Sequence, residues 1–347
     1  PAGLVVSTLL ARAGREVLLL DPRGSGQHKV GESVPGAIVR LMRHLDLPPL
    51  HHTASPHRDI GGIVTHWAGE LRREDYLMKP EGGGWRLDRG AFERELAATA
   101  VSCGVQRKEA RVRRLVRRDH GWQVETDYGR ELVTEFLVDA TGRPAELARR
   151  LGARRVHGPP LVAVWGLGEK EEGKPADRTY IESTPEGWWY GAYLPDGRSL
   201  AVFHTTPALA SELRHHPTRW RERLARTHQL APQFAADAFD ATQLSAHDAR
   251  SGHLDVACGP GWTACGDSAL SFDPLSSQGI FNALACADMA AAAILAGGTS
   301  SMLETYRNRL REIRIHYARR RERLYQSAAA HFGTAFWHGQ LALPAIS

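Results

Sequence analysis

The chain has 347 residues, enough to bury a large core in one or two domains. Its 44 Lys and Arg against 39 Asp and Glu leave a net charge of only +5, and the basic runs at 111–118 (RVRRLVRR) and 319–323 (RRRER) lack interleaved aromatics; they read as solvated faces, and nucleic acid is excluded as a partner. The four cysteines (103, 258, 265, 286) show no CxxC or metal-ligand spacing, and the longest small-apolar run, 279–298, carries Asn282 and Asp288, so a disulfide scaffold, a metal site and a membrane span are excluded and a reducing, cytoplasmic setting is expected.

In chain order, residues 1–14 read as a helix with small residues on one face and Gly14 as its stop. Residues 16–20 (EVLLL) form a short apolar strand ending in Asp21. Apolar positions 38, 41, 42 and 45 give helical spacing over 35–47, and the Pro- and His-rich 48–59 reads as a surface connection. Strands are expected at 62–68 and 75–78, then a helix over 89–102 with Asp88 as its N-cap. Three strand-like runs follow, 107–116, 121–126 and 131–138, separated by turn residues as in an antiparallel meander. Residues 161–206 alternate apolar and polar positions and are rich in aromatics, the pattern of an antiparallel sheet with one face on a pocket. Helical patterns fill 211–240, 281–296 and 302–329.

Four segments suggest chemistry, each with a plainer reading beside it. Ala2 and Gly3 at a helix start, followed by a strand ending in Asp21, match the second half of a dinucleotide-binding unit, with Gly3 as its third glycine and Asp21 as the ribose acid; any helix–strand pair ending in Asp would look alike. The first strand and two glycines of such a unit would precede Pro1, which gives the expectation of an N-terminally truncated chain. In the segment from Lys29 to Pro35 (KVGESVP), Glu32, Ser33 and backbone amides suit a cofactor approach, or Ser33 simply caps a helix. Arg89 opens a helix, free to reach a pyrophosphate or ribityl chain, or merely exposed. Asp139-Ala-Thr-Gly142 suits a tight turn beside an adenosine half. The segment 261–280 is the most informative. Asp267 after Gly266 suits a sugar hydroxyl, and Pro274, Ser277, Gly279 and Ile280 open a helix whose N-terminal amides and dipole favour negative charge, as a reduced flavin ring requires.

These pieces, in this order, resemble the FAD-dependent oxidoreductases of the aromatic hydroxylase and tryptophan halogenase superfamily, most specifically through GESVP (31–35) and GDSALSFDPLSSQGI (266–280). The resemblance implies an α/β fold: a Rossmann-type FAD-binding domain (1–54, 86–154 and 251–300), an inserted antiparallel-sheet substrate domain (55–85 and 155–250) and a C-terminal helical segment (301–347). It implies FAD as cofactor, with electrons from NAD(P)H or a separate reductase partner, and an aromatic or indole-type substrate, small or peptidyl. Within the superfamily DPLSSQG resembles a halogenase-like branch, some of whose members hydroxylate a peptidyl tryptophan while quinone-cofactor enzymes mature.

Halogenases of the superfamily carry W-x-W-x-I-P. Here Leu194-Pro195 aligns on the Ile-Pro and puts Tyr190 and Ala192 at both tryptophan positions. The region 59–78, where halogenases carry a catalytic lysine, has none, and Lys79 lies at its far end. The expected activity is therefore a monooxygenase acting through a flavin C4a-hydroperoxide; the alternatives are a flavin halogenase, a non-oxygenating flavin reductase, or a flavoprotein that docks a partner through the C-terminal helix bearing Tyr306, Tyr317 and Tyr325. Trp67, Trp165, Trp189 and Tyr193 are expected to line the substrate side, or to be sheet core. His66 and His204 are candidate proton-transfer groups, or structural.

Overall fold

The computed structural model describes residues 1–22, 31–52, 55–76, 83–127, 129, 131–170 and 177–341. Lys29 and Lys79 lie outside them. The architecture is mixed α/β and divides into two cores.

The first core gathers around helix Ala2–Arg12, which packs against Arg89–Ser102 and Gly279–Leu295. Strand Leu18–Leu20 runs parallel to Gln106–Lys108, and Leu137–Asp139 runs parallel to Trp262–Ala264. Val5, Ile38, Phe92, Leu284, Ala287 and Ala290 are buried together. The Ala-rich sequence of Gly279–Leu295 is what lets these helices approach closely, because small side chains cover little of the backbone. The meander is real, but its strands are Val112–Arg118, Gly121–Thr126 and Glu131–Thr134. The runs read as 107–116 and 131–138 each split, giving Gln106–Lys108 and Leu137–Asp139 to the two parallel pairs. Hydrophobic alternation does not register a short break between sheets, which is why each pair of strands reads as one.

The second core is a seven-stranded sheet in the order Ser245–Asp248, Val162–Lys170, Arg198–Thr205, Gly187–Tyr193, Arg178–Thr184, Gly62–Trp67, Glu70–Asp75. All pairs are antiparallel except Arg178–Thr184 with Gly62–Trp67. The edge strand is Glu70–Asp75; of the expected 75–78, residues 77 and 78 lie outside the described residues. Its sequence ELRRED is exposed at every position, so it lacks the alternation that identifies a half-buried strand, and its charges suit an unpaired sheet edge. Residues 48–59 are likewise less superficial than expected, since Leu50 and His57 are buried.

Side chains alternate across a sheet, and neighbouring tryptophans therefore part company. Trp188, Trp67, Ile181 and Val202 face the C-terminal helices, where Tyr325, Ala328, Phe336 and Trp337 cover them. Trp189, Tyr193, Phe203 and Val164 face the other way, against Trp220, Leu224 and Phe234. Helix Ser300–Phe332 begins on a Thr299 cap, ends at Gly333 in the left-handed region, and spans both cores, with Tyr306 in the first and Tyr325 in the second. The tyrosines that the docking alternative would use turn inward: Tyr306 and Tyr325 are buried, and Tyr317 lies tilted against Phe272 with ring centres 4.3 Å apart. Among the described residues no helix is long and apolar enough to cross a membrane.

Candidate active site

Three motifs remote in sequence meet at the start of the first helix. A Cβ on Gly3 would stand 3.2 Å from that of Ala140, so glycine permits the helix to approach the turn after Leu137–Asp139. Gly266 has φ +61, and a Cβ there would stand 2.7 Å from the Cβ of Ala2. The helix has no acidic residue in its first turn and no side-chain cap. Asp21 stands at the end of strand Leu18–Leu20, 3.0 Å from Arg107 and partly exposed.

Asp139 has a different place from the one its sequence suggests. Its buried carboxylate accepts from Thr141 N–H and hydroxyl, from Ser268 Oγ and from Ala148 N–H, at 2.7 to 2.9 Å. It fixes the turn and offers no exposed oxygen to a ligand. Ser268, which sequence reasoning passed over, ties the two motifs together: it donates to Asp139 and accepts from the Gly142 N–H at 3.1 Å. Asp267 stays partly exposed, 3.6 Å from Arg143. Its backbone is held by Arg155, which donates to the carbonyls of Asp267 and Ser268 at 2.7 Å. Burial pulls Arg155 down to about 10, opposed by the charge of Asp267. Neither arginine carries a local signal, since each acts across more than a hundred residues.

The loop after Asp267 is anchored from behind. Asp273 forms a buried ion pair with Arg321 at 2.7 Å, and Arg321 gives its two terminal nitrogens to the carbonyl and side chain of Gln340 at 2.8 Å. Pro274–Ser276 makes a tight turn, and Ser277 takes a left-handed conformation (φ 49). The helix that opens at Gly279 has no side-chain cap and no acid in its first turn; Gly279 is exposed with open space around it, and Ile280 is buried. Its amide end can take an anion or an electron-rich ring edge.

Between these ends lies a buried polar cluster. Glu32 accepts from the Gly31 N–H at 2.9 Å and from the Tyr190 hydroxyl at 2.5 Å. Arg86, fully buried, donates to Ser33 Oγ at 2.6 Å and to Tyr190, and its other terminal nitrogen reaches the carbonyl of Arg178 and the hydroxyl of Thr179. Burial pushes the Tyr190 hydroxyl far above its usual range, so it remains a neutral donor. Arg89 donates to the Gly31 carbonyl at 2.9 Å and to Glu93 at 2.7 Å, joining the same loop rather than standing free.

Leu275 of the loop and Tyr190 pack on the sheet face that carries Trp165 and Trp188. The four aromatics expected to line one pocket are therefore divided. Trp67 and Trp165 lie on this face, Trp67 donating to the Leu324 carbonyl and Trp165 stacked on His247. Trp189 and Tyr193 are core on the opposite face, because residues of odd separation in a strand point apart. His66 also falls on that opposite face, 3.6 Å from Glu182 and edge-on to His228. His204 is stacked 3.6 Å from Trp188, and burial lowers its pKa to about 3. It is a neutral core ring, unsuited to moving protons at neutral pH. Cys258, Cys265 and Cys286 are buried, and burial pushes Cys258 up to about 11 and Cys286 to about 12, so they are inert thiols.

No protein-family profile matches the chain. It is 27% identical to a protein of Marinomonas mediterranea named as an FAD-dependent oxidoreductase, LodB, over all of this chain and 96% of LodB. It is 25% identical to the tryptophan 2-halogenase of Chondromyces crocatus over 85% of this chain, which spans 59% of that longer protein. Among solved structures, QhpG, described as a peptidyl tryptophan dihydroxylase essential for tryptophylquinone cofactor biogenesis, matches with a TM-score of 0.81 and 26% identity, over all of this chain and 78% of QhpG. With these relatives, this fold and the approach of Ala2, Gly3, Asp139–Gly142 and Gly266–Asp267 around one helix end, the chain is similar to the FAD-dependent oxidoreductases of the aromatic hydroxylase and tryptophan halogenase-like superfamily.

Proposed function

We propose that the protein is a flavin-dependent monooxygenase that hydroxylates an electron-rich aromatic or indole-type substrate, small or peptidyl, and that FAD is its cofactor. The residues fit the group. The uncapped end of Ala2–Arg12 suits a pyrophosphate, Asp21 a ribose, and Asp267, still partly exposed, a ribityl hydroxyl. The open amide end at Gly279 suits the electron-rich edge of the ring. Bound and reduced, FAD supplies the electrons that activate dioxygen, delivered by NAD(P)H or by a separate reductase.

The protein's own part is to position and to exclude water. Leu275 and Tyr190 close one end of the sheet face beside the loop, and the C-terminal helices close the other. His204, buried on this face, is a neutral ring and plays no part in moving protons.

One observation favours hydroxylation over halogenation. Tyr190 and Ala192 stand where halogenases of the superfamily carry two tryptophans, and Tyr190 is engaged by Glu32, Ser33 and Arg86. The likeness to QhpG supports an indole-type, peptidyl substrate. The test is to reduce the FAD-loaded protein, admit dioxygen with a tryptophan-containing peptide and bromide, and weigh the product. Gain of oxygen is expected; gain of bromine would replace this reading with a halogenase.

A further inference from the structure

We propose that Tyr190 is a positioning residue that locks the loop Gly31–Val34 onto the seven-stranded sheet, so that the flavin loop and the substrate face are set by one hydroxyl. The inference rests on the FAD reading above and adds a role for a residue outside the flavin motifs.

Four strands converge at this hydroxyl. Ser33–Val34 pairs with Gly84–Arg86, and Arg86 reaches across to the backbone and side chain of Arg178–Thr184. Tyr190 comes from the neighbouring strand Gly187–Tyr193. Its oxygen accepts from Arg86, lies 2.7 Å from Ser33 Oγ and donates to Glu32. Glu32 then holds the Gly31 N–H with its second oxygen, while Arg89 holds the Gly31 carbonyl. Leu87 N–H donates to the Glu32 carbonyl at 2.8 Å. The backbone at 31–32 is thus fixed at three points, and the side chain that orients Glu32 for one of them is anchored on the sheet.

The chemistry demands a phenol. Glu32 and Arg86 are both buried, yet their closest approach is 3.6 Å, too long for a direct hydrogen bond. The hydroxyl bridges them by donating to the carboxylate and accepting from the guanidinium. Phenylalanine can do neither, and an indole N–H can donate but not accept. Removing the bridge leaves a buried carboxylate and a buried guanidinium each short of a partner, and the loop is the lighter of the two elements they join.

The test uses Tyr190→Phe in the full chain, with amide hydrogen exchange on the FAD-free protein and FAD titration followed by flavin fluorescence. Exchange over 31–34 should rise about tenfold or more while strand Val162–Lys170 keeps its protection, and FAD should bind about tenfold more weakly, as expected for losing a hydrogen bond to a charged group. In a Glu32→Ala background the same substitution should change FAD affinity no further, because the joint is already broken. Unchanged exchange and affinity in Tyr190→Phe, or effects of the two substitutions that multiply independently, would overturn the proposal. Should Tyr190→Phe fail to fold, Ser33→Ala is read in the same two assays, with a change of about threefold expected for a neutral hydrogen bond and no change counting against the proposal. A wild-type chain that binds no FAD would remove the FAD reading; exchange at 31–34 judges the lock separately.

Discussion

Arg86 and Arg321 are both buried, and each faces a buried carboxylate, but they are held to different degrees. Arg321 lies 2.7 Å from Asp273, gives its remaining nitrogens to Gln340 and sits 3.9 Å from the centre of the Tyr325 ring. Arg86 lies 3.6 Å from Glu32 and reaches it through Tyr190, and among the described residues its Nε has no partner. One guanidinium is completed and closes a loop; the other leaves a joint. The same residue type thus gives a direct ion pair behind the loop that begins at Asp273 and a hydroxyl-bridged contact at the loop Gly31–Val34. The difference follows from partner distance and donor satisfaction rather than from burial, which is nearly equal.

The comparison breaks first at its stronger member. Asp273→Ala strands the Arg321 charge and should cost about 3–5 kcal/mol in urea unfolding. A double Asp273→Leu, Arg321→Met variant should recover most of that loss, since an apolar pair carries no stranded charge. Arg86→Met should cost less, about 2–3 kcal/mol by the same measurement, because its link to Glu32 is indirect. Equal costs would end the distinction between anchor and joint.

His204 supplies a control, a buried ionisable ring with no charged partner. Its pKa falls from the ordinary 6.5 to about 3 on folding, so between those values the unfolded chain binds the extra proton. The stability it contributes is complete above pH 6.5 and is lost as pH falls toward 3. Urea midpoints measured at pH 7.5 and 4.5 should therefore converge in His204→Phe relative to wild type. The smallest structural effect is expected at Asp267→Ala, under about 0.5 kcal/mol because the side chain is partly exposed, yet this variant should lose FAD on gel filtration. Retention of FAD at wild-type stoichiometry would sink the role given to that acid.

What could be read from sequence was local. Asp88 as a cap, the Gly266–Asp267 turn and the helix after Gly279 each depend on residues within a few positions. The loop's anchors were not legible, because they join positions far apart. The run 319–323 reads as a solvated face, and Arg319, Arg320 and Arg323 are indeed exposed; Arg321 alone turns inward, to a carboxylate 48 residues away. Trp188 and Trp189 read as one aromatic surface until the pleat sends them to opposite faces. Tyr190 reads as a missing tryptophan, and only its meeting with Glu32 across 158 residues gives it a task.

The long helix Ser300–Phe332 carries a consequence for synthesis. Every motif that carries the flavin resemblance lies before residue 281, but the acid that begins the DPLSSQG loop finds its partner at Arg321, which in turn is held by Gln340. While the chain is still emerging from the ribosome, the first core can begin to assemble with Asp273 still unpaired. The loop gains this support only once residues 321–340 have followed, and until then Asp273 stands without the clamp that steadies it.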